Sequence, residues 1–298
     1  MRALLLLIVS TLTSPLLSAA DAELNPHERQ AEVVTVPVVE RAASHHEYAN
    51  TLLRLALDLT TEEFGPYRIR YYNKAMTIRR QLVALDQGDS ISVALSMPSA
   101  SWLEKADMVQ FPLLKGLASY RLFFVRKTDQ DGHAAIHSLN ELRALKIGQG
   151  RGWSTAKILE DNKFEVVYGE SYKHLFPMLK TARFDALMRG VYEIEAEFKT
   201  YSSAMPELAI AENFAVYTYL PMYFFVNKRQ VLLAERLEAG LKKAHATGQI
   251  DKVFNRYFGR SVQLLTQKKM QIFYLSNTNI NNSFLAHDRP YLLNMVEP

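Results

Sequence analysis

The sequence predicts an α/β protein of two lobes joined by two crossing segments, each lobe a mainly parallel sheet flanked by helices. Short apolar runs alternate with stretches in which apolar residues recur every three or four positions, the pattern of repeated strand–helix–strand units. The alternation stops at the charged stretch Arg126–Asp131 and then starts afresh. An apolar, aromatic segment, Phe214–Phe225, follows the second set and leads into two more amphipathic helices, so the chain is expected to return to its first lobe.

Taken in order, Val33–Val39 reads as a buried strand. Tyr48, Leu52, Leu55 and Leu59 recur at helical spacing, and Gly65-Pro66 ends that helix. Tyr67–Tyr72 is a second strand, Met76–Leu85 a helix and Ile91–Leu95 a third strand; Tyr120–Val125 closes the first unit. In the second unit Ser138 and Glu141 form a capping box ahead of Leu142 and Leu145. Lys146–Gly148 is a short strand, and Ala156 and Leu159 face inward from the helix after it. Phe164–Tyr168 and Phe184–Met188 are strands; between them Leu175, Met178, Leu179 and Ala182 mark a helix that has Pro177 inside its pattern. Val191, Ile194 and Phe198 form the next helical stripe, with Glu193 and Glu197 expected on a solvated face. Two amphipathic helices carry Leu233, Leu237, Leu241 and Ala244, then Ile250, Val253, Phe254, Tyr257 and Phe258. The tail adds a strand at Gln271–Leu275 and an Asn-rich loop.

This organisation assigns 28–125 and 216–298 to lobe 1 and 126–215 to lobe 2, with crossings at Phe123–Lys127 and Tyr217–Phe225. In such sheets ligands sit at the carboxyl ends of strands, which here means the cleft between lobes, and hinge closure follows from that geometry.

A length of 298 residues suits two domains of about 150 residues each. With 48% hydrophobic and 22% charged residues the chain is neither disordered nor fibrous, and the absence of cysteine removes disulfides, a thiol nucleophile and thiolate metal sites. Arg2, the apolar run Ala3–Val9 and the exit Ser18-Ala19-Ala20 describe a cleavable secretory signal over residues 1–20. Ser10, Thr11, Thr13, Ser14 and Pro15 interrupt the run, which argues against a spanning helix. Cleavage leaves 34 basic against 31 acidic side chains, a balance that gives no argument for nucleic acid. No cysteine is available for a lipid anchor, so a freely diffusing periplasmic protein is expected.

Leu85-x-x-Gly88-Asp89, Phe111-Pro112-Leu113-Leu114 and Phe184-Asp185-Ala186-Leu187, in this order of elements, resemble the family 3 extracellular solute-binding proteins. These are periplasmic receptors of ATP-binding-cassette importers with the type II two-lobed periplasmic-binding-protein fold. The resemblance covers roughly Val33 to Phe258, and Gly148–Trp153 with Arg183–Gly190 resemble a less characterised bacterial branch of the family. It implies a monomer without cofactor or catalysis that closes on a small polar or anionic solute and delivers it to a membrane permease. Two other classes stay open: a sensory module docking on a membrane receptor, and a periplasmic small-acid lyase using a cleft Glu or His.

The glycine-rich turn is the first candidate site. Gly148, Gly150 and Gly152 can let backbone amides approach an anion, and Ser154 or Thr155 caps a helix whose N-terminus carries partial positive charge; Trp153 lies in the same turn. It lacks the spacing of a nucleotide fingerprint. Arg189, expected just after its strand, either offers its fork to a carboxylate or phosphate on the cleft rim or pairs with Glu193. The family's amino-acid binders carry an acidic residue near this place, where this chain has Gly190 beside Arg189, and an arginine after strand three, where only Lys105 is near. Ser99, Ser101 and Trp102 can line the pocket there. The resemblance further places Gly116, Tyr120 and Arg121 near the ligand, and Tyr48 is the remaining aromatic candidate; for these four, packing and hinge support is the competing role. His45-His46-Glu47 and His133-x-x-x-His137 are set aside as metal sites, because the second pair is expected in extended or turn structure.

Overall fold

The structure is a computed structural model that describes residues 30–39, 43–267 and 269–294. The expected signal segment, residues 1–20, lies outside the described residues. The strands are β1 (Glu32–Val38), β2 (Tyr67–Ala75), β3 (Val93–Ser96), β4 (Ala106–Met108), β5 (Tyr120–Arg126), β6 (Lys146–Gly150), β7 (Glu165–Gly169), β8 (Ala186–Gly190), β9 (Leu208–Ile210), β10 (Phe214–Tyr217), β11 (Tyr223–Asn227) and β12 (Gln271–Tyr274).

They form two groups. In the smaller, β1 pairs in parallel with β2, while β3 and β4 flank β11 and run antiparallel to it. Ser92 stitches the two parts together: its amide donates to the Thr35 carbonyl at 2.8 Å and its hydroxyl accepts from the Thr35 amide at 3.0 Å. The larger sheet has the order β12-β10-β5-β8-β6-β7, with β9 beside the far end of β5. Here β6 is parallel to β7 and β8, and β10 to β12, but β5 is antiparallel to β8, β9 and β10. The sheets are therefore mixed where mainly parallel ones were expected, because β5 and β11, on which the chain enters one group and returns to the other, run against their neighbours.

The helix Ser44–Asp58 buries Tyr48, Ala49, Leu52, Leu53, Ala56 and Leu57 on one face, the 3.6-residue period at work. It crosses Val231–Ala246 so closely that a Cβ on Gly240 would lie 2.2 Å from the Ala56 carbonyl oxygen. Arg236, from the same crossing, is fully buried and donates to the carbonyls of Leu57 and Gly65 and to the Glu32 carboxylate. Its stem and fork thus tie the start of β1 to the end of the first helix.

Several boundaries differ from expectation. The segment Phe123–Lys127 lies mostly within β5, inside the larger sheet, so the chain passes from the smaller group to the larger within 109–119 and back within 218–222. The tail strand β12 joins β10 in the larger sheet. A short helix at Gln130–His133 ends at the first of the two spaced histidines and a turn follows it, and the helix with Pro177 runs Tyr172–Lys180, leaving Ala182 outside it in the left-handed region (φ 55°). Among the described residues no helix is long and apolar enough to cross a membrane.

Candidate functional site

The turn between β6 and the helix Ser154–Asp161, the junction of β8 with the helix Val191–Tyr201, the start of β5 and the start of the helix Ser44–Asp58 converge between the two sheets. The gap is closed. The Ser154 hydroxyl donates to the Met97 sulfur at 3.3 Å, joining the turn after β6 to the segment after β3.

Arg189 is not on a rim. β8 begins two residues later than the sequence pattern suggests, so Arg189 is its penultimate residue, opposite Leu122. Period-2 alternation then turns its side chain to the helix-covered face. There Nε and Nη2 donate to the two Glu197 oxygens at 2.8 and 2.7 Å, and Nη2 also reaches Glu193 at 2.9 Å. The guanidinium lies over the Trp153 ring (4.7 Å) and the Tyr172 ring (5.3 Å). Its fork is filled from within, which removes it as a free anion clamp. Glu197, expected on a solvated face, is only 8% exposed.

The glycines of the turn serve packing. A Cβ on Gly148 would meet the Phe184 ring at 2.4 Å, and one on Gly150 would meet the Trp153 indole at 2.4 Å. Aromatic rings therefore fill the space where side chains at these two positions would lie, and both glycines sit within β6 in register with β7. Gly152, with φ 78°, is open. Thr155 is buried: its hydroxyl donates to Gln149 Oε1 at 2.6 Å, and Gln149 is itself buried and bonded to the Gly148 carbonyl.

The other candidates divide. Tyr48 is core: its hydroxyl donates to the Leu113 carbonyl at 2.7 Å and its ring packs edge-on to Phe258. Trp102 is core against Phe225. Gly116, with φ 79°, faces Leu292 of the tail. Ser99 and Ser101 share a 3.1 Å hydrogen bond at the rim. Tyr120 packs edge-on to Tyr217, and burial first, then the neighbouring Tyr217 and Tyr274, push its pKa up to about 12.

Arg121 is different. It is 3% exposed, yet its fork holds only a 3.4 Å bond to the Ala118 carbonyl, a 4.0 Å approach to Glu193 and the neighbouring Tyr192, and its Nε has no hydrogen-bond partner. Around the same Glu193 stand His45 and His46, which the sequence reading discounted. Their Nδ1 atoms are likewise buried without partners, and their rings are 4.1 Å apart. His45 packs edge-on to Tyr192 at 5.2 Å. Burial, then His46 beside it, lowers the His45 pKa to about 3, so the imidazole is neutral. Burial works to raise the Glu193 pKa, but Arg189 and then Arg121 hold it below the usual carboxylate value, and the Gly190 amide donates to it at 3.2 Å. His46 also lines a cavity of about 170 Å³ at the seam between β1 and β3, walled by Val36, Val38, Leu53, Leu95 and Phe224. No group of three or more metal-ligating side chains occurs among the described residues.

Comparison with known proteins finds no matching family model and no matching curated protein. Solved structures do match. An ancestral arginine-binding protein bound to arginine superposes with a TM-score of 0.54 at 19% identity, covering 78% of this chain and 100% of its own. The probable amino-acid ABC transporter extracellular-binding protein of Bacillus subtilis gives 0.57 at 17%, covering 77% and 99%. A structure described for glutathione import and the cystine ABC importer of Streptococcus mutans gives 0.54 at 17%, covering 77% and 96%. These matches show the fold: the chain has the type II periplasmic-binding-protein fold.

Proposed function

We propose that this chain is the extracytoplasmic solute-binding component of an ATP-binding-cassette importer, and that its lobes close on a small solute bearing a carboxylate. The fold supports the first part, since the neighbours named above are substrate-binding proteins and not enzymes. In this reading one lobe is built on β1–β4 and β11, the other on β5–β10 and β12, with the hinge at 109–119 and 218–222.

One observation carries the second part: buried polar atoms without partners at Arg121, His45 and His46, gathered around Glu193. A buried donor left unbonded costs free energy of about 1–3 kcal/mol, so such a cluster favours an occupant that supplies the missing bonds. An arginine fork suits a carboxylate. Two neutral imidazoles offer donors or acceptors to an amino or hydroxyl group, and the apolar seam behind His46 suits an aliphatic portion. Arg121 thus takes the anchoring role that sequence reasoning gave to Arg189.

Titration calorimetry with amino acids and small carboxylic acids tests this on the wild type and Arg121→Met. The variant is expected to lose about 2–5 kcal/mol of binding free energy, as for a desolvated charge pair. Unchanged affinity in a folded variant would end the carboxylate assignment. No thermal stabilisation by any such solute would count against the solute-binding reading itself.

A further inference from the structure

The C-terminal tail runs from one group of strands to the other. Its first part belongs to the larger sheet. β12 pairs with β10, with Phe273 opposite Val216, and the Leu275 amide donates to the Tyr217 carbonyl at 2.9 Å. Asn162 exchanges two hydrogen bonds with the Ser276 backbone, Thr278 bonds Asp161, and Asn279 reaches the Ser154 carbonyl. Its second part belongs to the smaller group. Phe284 packs on Tyr223 of β11, Tyr291 on Phe111 (4.6 Å) and on His245 (5.1 Å), and the Leu293 amide donates to the Lys115 carbonyl at 3.0 Å.

Between these anchorages sits Asp288, fully buried, which accepts from the hydroxyls of both Tyr219 and Tyr223. Tyr219 lies within 218–222, the segment by which the chain returns between the two groups of strands, and Tyr223 directly follows it. Asn277 also donates to the Tyr219 carbonyl at 2.8 Å. A carboxylate accepting hydrogen bonds from two hydroxyls in a water-excluded site forms strong charge-assisted bonds. A hinge of two free segments bends easily; one flanked by a bonded third connection does not.

We propose that residues 271–293 are a strap that holds the two lobes in the closed arrangement and limits their opening, with Asp288 as its latch on the return segment. The strap rests on the two-lobed reading of the fold but not on the identity of the solute. In it, the tail sets how far and how often the cleft opens, and so how fast a solute exchanges, whatever the cleft binds.

The chain has no cysteine, so paired spin labels can be placed without background. Arg80→Cys and Glu170→Cys, both exposed, put one label in each lobe for pulsed-resonance distances on solute-free protein. The parent is expected to give one narrow distance. Asp288→Asn, and separately truncation after Ser276, are expected to add a longer-distance population. Ser154→Trp, which wedges the Met97 contact apart, is expected to open the cleft fully only when combined with Asp288→Asn. If Ser154→Trp alone opens as far as the combination, the strap is overturned. If the combination stays at the parent distance, the hinge reading fails instead. Should the truncation not fold, Asp288→Asn and Tyr291→Ala carry the same test, and parent-like distances in both, alone and with Ser154→Trp, would overturn the strap.

Discussion

His45 shows what a single buried side chain does to the molecule's response to acid. Its folded pKa is near 3 against an ordinary 6.5, and burial lowers His46 and His133 in the same direction. The unfolded chain therefore binds more protons than the folded one as pH falls through about 6.5 towards 3, and stability drops across that window. Urea midpoints are expected to be level above neutral pH and to fall below it, with His45→Gln flattening the slope; a flat profile in the parent refutes this. Arg189 makes the complementary case. Removing it in Arg189→Met leaves Glu193 and Glu197 facing each other in a buried site, and a loss of about 3–5 kcal/mol in urea unfolding is expected. Arg189→Met with Glu197→Met is expected to recover part of that loss. The Arg189–Glu193 pairing was readable as an i,i+4 spacing on adjoining elements. Glu197 was not, because its burial depends on Arg189 lying within β8, facing the helix, rather than after the strand. The histidine pair was not legible, because nothing local to His45-His46 tells that a ring will be buried against Tyr192.

Among elements, β2 is the exposed one. Nine residues long, it has a ladder partner on one side only among the described residues, and Arg68, Arg70 and Lys74 stand exposed along it. Charged side chains on an open edge oppose strand-to-strand association. Replacing Arg68, Arg70 and Lys74 by Thr is expected to produce dimers or larger species in sedimentation velocity, where the parent sediments as one small species. At the helix crossing, Gly240→Val would drive a side chain into the Ala56 backbone, and a loss of about 1–3 kcal/mol or more is expected from overpacking. Strand and helix identities were legible wherever periodicity was clean, as in Ser44–Asp58 and β5. Strand direction was not, since the residues of β5 and β11 read the same whether a neighbour runs with them or against them. Nor was the purpose of Gly148 and Gly150, because a glycine makes room for an anion and for an aromatic ring alike, and only the position of Phe184 and Trp153 decides.

At the scale of the whole molecule, the two-unit rhythm and the aromatic return segment were enough to foresee two groups of strands, one on each side of the candidate site. The place where the chain passes between them was harder to foresee, because Tyr120–Val125 is equally apolar whether it bridges two sheets or sits inside one. Sheet completion has a further consequence in time. β3 pairs with β11, setting Val93 against Val226, and β10 waits for Gln271–Tyr274. Pairings so distant along the chain form slowly, since the intervening loop must close first. A chain emerging from its N-terminus thus holds β3 without its ladder partner until residue 227 arrives, and carries Tyr219 and Tyr223 without their carboxylate until Asp288 arrives. Synthesis halted anywhere in between yields a polypeptide with open strand edges and bare aromatic surface. A protease can distinguish that product from the finished protein by its exposure alone.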